Sequence, residues 1–204
     1  MPNIYQYQLK VTLQETHPPI WRRLIVPGNL NFARLHAVLQ AAMGWEDSHL
    51  HLFKIGDLEI GNPDLDRSSF GAPIAPEKQY TLDRVARGKE ARFTYVYDFG
   101  DSWEHEIVVE TVAVGELEAP RCVAGERACP PEDCGGAPGY ADLVDALADR
   151  MHERHAELTR WVDDEWSPER FDLAAADRRV AAQRPQPGRP RTAGKPRGRA
   201  RARV

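Results

Sequence analysis

Phe93-Thr94-Tyr95-Val96-Tyr97-Asp98-Phe99-Gly100-Asp101-Ser102-Trp103-Glu104-His105-Glu106-Ile107-Val108-Val109 decides the fold. Aromatics recur at every second position from Phe93 to Phe99. Trp103, His105, Ile107 and Val109 do the same beyond a turn, with Glu104, Glu106 and Glu110 facing the other way. A period of two on both arms reads as an antiparallel hairpin with one apolar face. An even loop would set aromatics beside glutamates. An odd loop around Phe99-Gly100-Asp101 sets aromatics against aromatic or aliphatic partners, which cross-strand pairing favours. The odd loop is therefore expected, with His105 on the apolar face near Tyr95 or Tyr97.

Upstream, Tyr5, Tyr7, Leu9, Val11 and Leu13 alternate with polar residues as a half-buried strand. His17-Pro18-Pro19 turns the chain into a second strand, Ile20 to Val26, stopped by Pro27-Gly28. Asn31 is placed to cap a helix carrying Phe32, Leu35, Val38, Leu39 and Ala42, and Gly44 to end it. Ser48 to Ile55 reads as a strand with His49, His51, Phe53 and Ile55 on one face, followed by a long Pro/Gly-rich connection from Gly61 to Glu77. Thr81 is placed to cap a short helical turn before Gly88. Downstream, Tyr140, Leu143, Val144 and Leu147 mark one helix, and Leu158, Trp161 and Val162 a second. Ser167-Pro168 starts a short third, and Asp172 opens a last one to about Ala182. The expected fold class is α+β: a mixed or antiparallel sheet with a strand–strand–helix opening unit, a central β-hairpin and C-terminal helices.

The 204 residues carry a net charge of −4, which hides a division. Residues 183–204 hold Arg184, Arg189, Arg191, Lys195, Arg197, Arg199, Arg201 and Arg203 and no acid, so the preceding body has 19 basic against 31 acidic groups, a net charge of −12. The expected organisation is one folded domain over 1–182 and a disordered basic Pro/Arg/Gly/Ala-rich tail over 183–204. That tail suits non-specific contact with nucleic-acid phosphates, since it lacks aromatics to stack on bases; a solvated extension is the plainer alternative. The opening Met1-Pro2-Asn3-Ile4-Tyr5-Gln6 has neither the basic nor the apolar region of a leader, and no apolar run approaches membrane-spanning length. Three cysteines, an odd number, fit no secreted disulfide framework, so a cytoplasmic protein is expected.

Three groups of residues are equipped for chemistry. Cys122, Cys129 and Cys134, with His105, His152 or His155 as a fourth donor, could hold zinc, the one cofactor the composition suggests; ordinary reduced thiols are the alternative. His49 and His51, with Asp98, Asp101 and His105, offer imidazoles and carboxylates for a divalent metal that would activate water, against a turn satisfying its own amides and a core histidine. Glu132 and Asp133 lie between Pro131 and Cys134-Gly135-Gly136, where the glycines permit close backbone approach. No phosphate-cradling Gly-x4-Gly-Lys loop, Gly-x-Ser-x-Gly elbow or His-Glu-x-x-His helix occurs. Carboxylates beside Cys134 disfavour a thiolate nucleophile.

Pro18-Pro19-Ile20-Trp21-Arg22-Arg23, Leu35-His36, the run from Met43 to Phe53, the run from Tyr97 to His105, and Ala128-Cys129-Pro130-Pro131-Glu132-Asp133-Cys134-Gly135-Gly136 resemble the plasmid pRiA4b ORF-3-like family, as do Gly139-Tyr140 and Phe171-Asp172. The resemblance covers roughly Ile4 to Gln183. It implies an α+β protein of plasmids and insertion sequences, sometimes under a resolvase-like name, with no secure activity. A recombinase nucleophile within an arginine cluster is not found in this chain. A shared binding cleft would comprise Trp45, His49, His51, Asp98, Asp101, Trp103, His105, Glu132 and Asp133. The favoured expectation is a binding or accessory protein linked to mobile elements, engaging a protein or nucleic-acid partner and no membrane. Its rival is a metal-dependent hydrolase using His49, His51, Asp98 and His105.

Overall fold

The computed structural model describes residues 5–64 and 73–184. Part of the connection after Gly61 and the basic segment from 185 on, including Arg189 to Arg203, lie outside the described residues. In chain order the elements are β1 (Tyr5–Leu13), β2 (Ile20–Pro27), α1 (Phe32–Met43), β3 (His51–Ile55), β4 (Leu58–Gly61), β5 (Ala75–Pro76), α2 (Leu82–Val85), β6 (Arg92–Tyr97), β7 (Trp103–Val114), β8 (Arg121–Glu126), α3 (Gly136–Ala148), α4 (His155–Trp161) and α5 (Leu173–Ala181). The strands form one sheet ordered β5-β4-β3-β6-β7-β1-β2-β8. It is antiparallel except where β5 joins β4, so the fold is α+β with a mixed sheet.

The alternation seen in the sequence becomes a two-faced sheet. Tyr7, Leu9, Val11 and Leu13 of β1 and Trp103, His105, Ile107 and Val109 of β7 are buried, while their neighbours lie partly in solvent. On the wetter face Arg23 donates to both Glu110 oxygens, and Gln8 Nε2 donates to the same carboxylate. The hairpin has the odd loop: Tyr97 pairs with Trp103 and Tyr95 with His105, leaving residues 98–102 as the turn. Phe99 departs from its expected place on the strand face, since it belongs to that turn.

The apolar face is covered mainly by α1. Asn31 accepts from the Arg34 amide at its start and Gly44 ends it at φ +97°, where a side chain would be strained. Phe32 meets Phe53 and Phe93 edge-on. The last helix, α5, capped by Asp172, packs against α1 and β8; its Asp177 binds Arg121 and the Cys122 amide. Leu143, Ala146 and Leu158 join α3 to α4 in a smaller core.

Three further local expectations give way, and one strand is new. β3 begins at His51 rather than Ser48, because the partner strand β6 ends at Tyr97, Asp98 turning away at φ +56°, and Ser48 N binds the Tyr97 hydroxyl instead of a strand carbonyl, leaving His49 outside the strand. Ser167-Pro168 makes a single turn and no helix, since the Pro168 carbonyl accepts from Ala128 N instead of from a following helical turn. Thr81 precedes α2, but its hydroxyl donates to Asp83 and caps no amide. Finally, β8 carries no strand alternation and was not foreseen. No helix among the described residues is long and apolar enough to cross a membrane.

Candidate functional site

Three connections meet beyond one end of the sheet: residues 44–50 after α1, the hairpin turn 98–102, and residues 128–135 before α3. Trp45 Nε1 donates to the Pro130 carbonyl, and its ring stacks on Tyr97 with centroids 4.9 Å apart. Glu132 Oε1 accepts from Glu46 N and from the Tyr97 hydroxyl, each at 3.0 Å. Gly135 N donates to Asp101 Oδ2, and Gly136 lies so close to the Asp101 carbonyl that a Cβ there would approach to 2.7 Å. Burial, and then the Glu132 carboxylate, raise the Tyr97 phenol, which keeps it a donor.

Inside this bracing sits His49. Its Nε2 is closed to solvent and makes no hydrogen bond, yet Asp133 Oδ1 lies 3.2 Å away, and Asp98 Oδ2 and Glu132 Oε2 each lie 3.7 Å away. Asp98 holds its other oxygen on the Gly100 amide. His49 and His51 line one side of a cavity of about 540 Å³, with Asp47, Asp64, Glu77 and Lys78 among its other walls.

His51 belongs to a second group. Its Nε2 pairs with Glu77 at 2.8 Å, and its ring stacks on His36. His36 binds the Tyr95 hydroxyl through Nδ1 and Asp47 through Nε2. Among the described residues, His36/Asp47/His51 and His49/Asp98/Asp133 are the groups whose ligand-type atoms converge.

Of the nine cleft residues expected from sequence, the structure thus brings His49, Asp98, Glu132 and Asp133 together, with Trp45 bracing them. Asp101 serves the Gly135 amide, and His51 faces Glu77. Trp103 and His105 are core residues. His105 has no exposed surface, and burial drives its imidazole down to about 4. The hydrolase quartet His49/His51/Asp98/His105 therefore does not assemble around one point. The thiols do not converge with His105 in either group. Burial, more than nearby Asp101, pushes the Cys134 thiol up to about 12, and Cys129 is raised by burial as well. His152 lies near Asp142, and His155 Nδ1 binds the Ala146 carbonyl. Of the tail residues, Arg184 alone is described, and it is exposed.

Sequence reading passed over Tyr97, His36, Asp47 and Glu77. Tyr97, His36 and Asp47 lie within the quoted motifs, so their presence was a signal; Glu77 ends an irregular connection and offered none.

The same chain matches the model of the family described as plasmid pRiA4b ORF-3-like protein over residues 5–175. It is 43% identical over 172 residues to the "Uncharacterized protein y4hQ" of Sinorhizobium fredii (strain NBRC 101917 / NGR234), covering 83% of this chain and 85% of that relative. It also resembles the crystal structure of the protein of unknown function MM3350 from Methanosarcina mazei Go1, with a TM-score of 0.74, 35% identity, and coverage of 84% of this chain and 97% of that one. With motifs, order and fold in agreement along the body, this chain belongs to the plasmid pRiA4b ORF-3-like family.

Proposed function

We propose that this protein is an accessory binding module that docks a protein partner at the mouth formed by residues 44–50, 98–102 and 128–135. The observation that carries this reading is the exposure of Leu50 and Phe99, 52% and 43% accessible, on segments joined by the Asp98 N to Leu50 O hydrogen bond. Apolar side chains held out by braced loops are suited to anchor a partner, because little conformational freedom is lost on docking. The carboxylates behind them, Asp98, Glu132 and Asp133, repel phosphates, which favours a protein over a nucleic acid at this mouth and calls for positive charge at its centre. Nucleic-acid contact rests instead with residues 183–204, whose removal abolishes salt-sensitive binding on this reading. The family takes its name from a plasmid open reading frame, which supports an accessory role in mobile-element biology.

Capture from a cell extract, run side by side with wild type and a Leu50→Asp/Phe99→Asp variant, tests the docking mouth. Both positions are exposed, so the variant keeps its fold. Polypeptides retained by the wild type and lost from the variant are expected; identical retention by both proteins sinks the reading.

A further inference from the structure

We propose that His49, Asp98, Glu132 and Asp133 form a binding site for a divalent cation of the Mn²⁺, Fe²⁺ or Zn²⁺ class. A buried imidazole nitrogen normally finds a hydrogen-bond partner. His49 Nε2 has none, although three carboxylate oxygens stand 3.2–3.7 Å from it. Asp133 Oδ1 is within hydrogen-bond reach but out of line for a bond, and the two oxygens at 3.7 Å are beyond reach. Donors about 2.1 Å from one ion stand about 3.0–3.5 Å apart, a spacing that Asp133 meets and that Asp98 and Glu132 exceed slightly. One donor atom each from His49, Asp98 and Asp133 also lies within 4.8 Å of the others.

The carboxylates are oriented for that role. Glu132 gives Oε1 to Tyr97 and Glu46 and turns Oε2 toward the imidazole; Asp98 gives Oδ1 to Gly100 and turns Oδ2 the same way. Outer hydrogen bonds of this kind fix ligand direction in metal sites. Asp133, 74% exposed, closes the set from the solvent side. Among the described residues, no lysine or arginine forms an ion pair with Asp98, Glu132 or Asp133. One nitrogen with three oxygens suits ions of intermediate softness over copper(I) or calcium.

The other converging group does not have this geometry. The His36 and His51 rings lie 6° from parallel, so their in-plane lone pairs run side by side and cannot meet on one ion, and each Nε2 is already bonded to a carboxylate.

A cation here would supply the positive charge that the docking mouth calls for, so the inference rests on the same site. Its test needs no partner: failure to bind an ion leaves the docking lip standing, and loss of docking leaves the ion site standing. Full-length, tag-free protein stripped with chelator is titrated with Mn²⁺ and with Zn²⁺ by calorimetry, and Mn²⁺ binding is followed by electron paramagnetic resonance. One ion per chain is expected. Asp133→Asn, at an exposed position that folding tolerates, and His49→Ala should each weaken binding at least about tenfold. Tyr97→Phe, which frees Glu132 without removing a donor, should weaken it by about tenfold. Absence of binding by the wild type, or equal binding by wild type and Asp133→Asn, overturns the site.

Discussion

The imidazoles of His36 and His51 lie face to face, with centroids 3.5 Å apart. Gln40 Nε2 donates to the Tyr95 hydroxyl, which is therefore free to donate to His36 Nδ1; His36 Nε2 then donates to Asp47, whose own amide donates to Gln40 Oε1. This closed circuit satisfies a neutral His36. Burial first, and then His51 beside it, lower its basicity, while Asp47 pulls more weakly the other way. The circuit also ties the segment bearing His49 to α1.

Breaking that circuit should be costly. His36→Ala leaves the buried Tyr95 hydroxyl without its acceptor and releases Asp47, so a loss of about 1–3 kcal/mol is expected. Urea denaturation measures it. An unchanged midpoint would show that the circuit contributes nothing to stability.

Acid sensitivity follows from His105. Its Nδ1 faces the Tyr95 carbonyl, its Nε2 is sealed without a partner, and its imidazole is lowered from 6.5 to about 4. Above pH 6.5 both folded and unfolded chains are neutral at this position, and stability is full. Between pH 6.5 and 4 only the unfolded chain takes up the proton, so stability falls as the pH falls, by up to about 3 kcal/mol from this residue. His36 acts in the same direction. His105→Gln, which cannot titrate, should show a shallower decline over that window in pH-dependent denaturation; parallel curves would refute the assignment.

Arg22 joins three elements through backbone carbonyls. Nε donates to Ala42 at the end of α1, Nη1 donates to Trp21 and to Glu126 of β8, and the guanidinium lies 4.1 Å from the Phe171 ring centre. Arg22→Met removes the charge but strands those carbonyls, and a cost of about 3 kcal/mol is expected. Thermal melting checks it. A neutral outcome would mean that water replaces every bond.

Gly136 has φ +67° and faces the Asp101 carbonyl. Gly136→Ala must move backbone, because the obstructing atom is a carbonyl oxygen. A loss of about 1–3 kcal/mol is expected, together with weaker ion binding at His49, since the 130–135 and 98–102 segments would separate. Wild-type stability and ion affinity in the variant would show that their contact is dispensable.

Much of the architecture was legible in local pattern. The alternation through residues 93–109 specified the hairpin and its odd loop, and Asn31 and Gly44 bounded α1, because side-chain period, capping and positive φ act over a few residues. β8 was not legible. It is short, its Ala124 and Gly125 are poor strand formers, and its place depends on Arg22, on Asp177 from α5, and on Phe171 lying against Gly125.

The same division runs through the site. Composition and motifs picked out His49, Asp98, Glu132 and Asp133 as residues equipped for binding. Only the tertiary structure separated His49 from His51, joined Tyr97 to Glu132, and sent His105 into the core. A two-residue spacing puts side chains on one face only while the backbone stays a strand, and here the strand starts at His51 because its partner β6 ends at Tyr97, where Asp98 turns away at φ +56°. Periodicity tells which face of an element is apolar; which loops meet is decided by hydrogen bonds and packing between residues far apart in the chain.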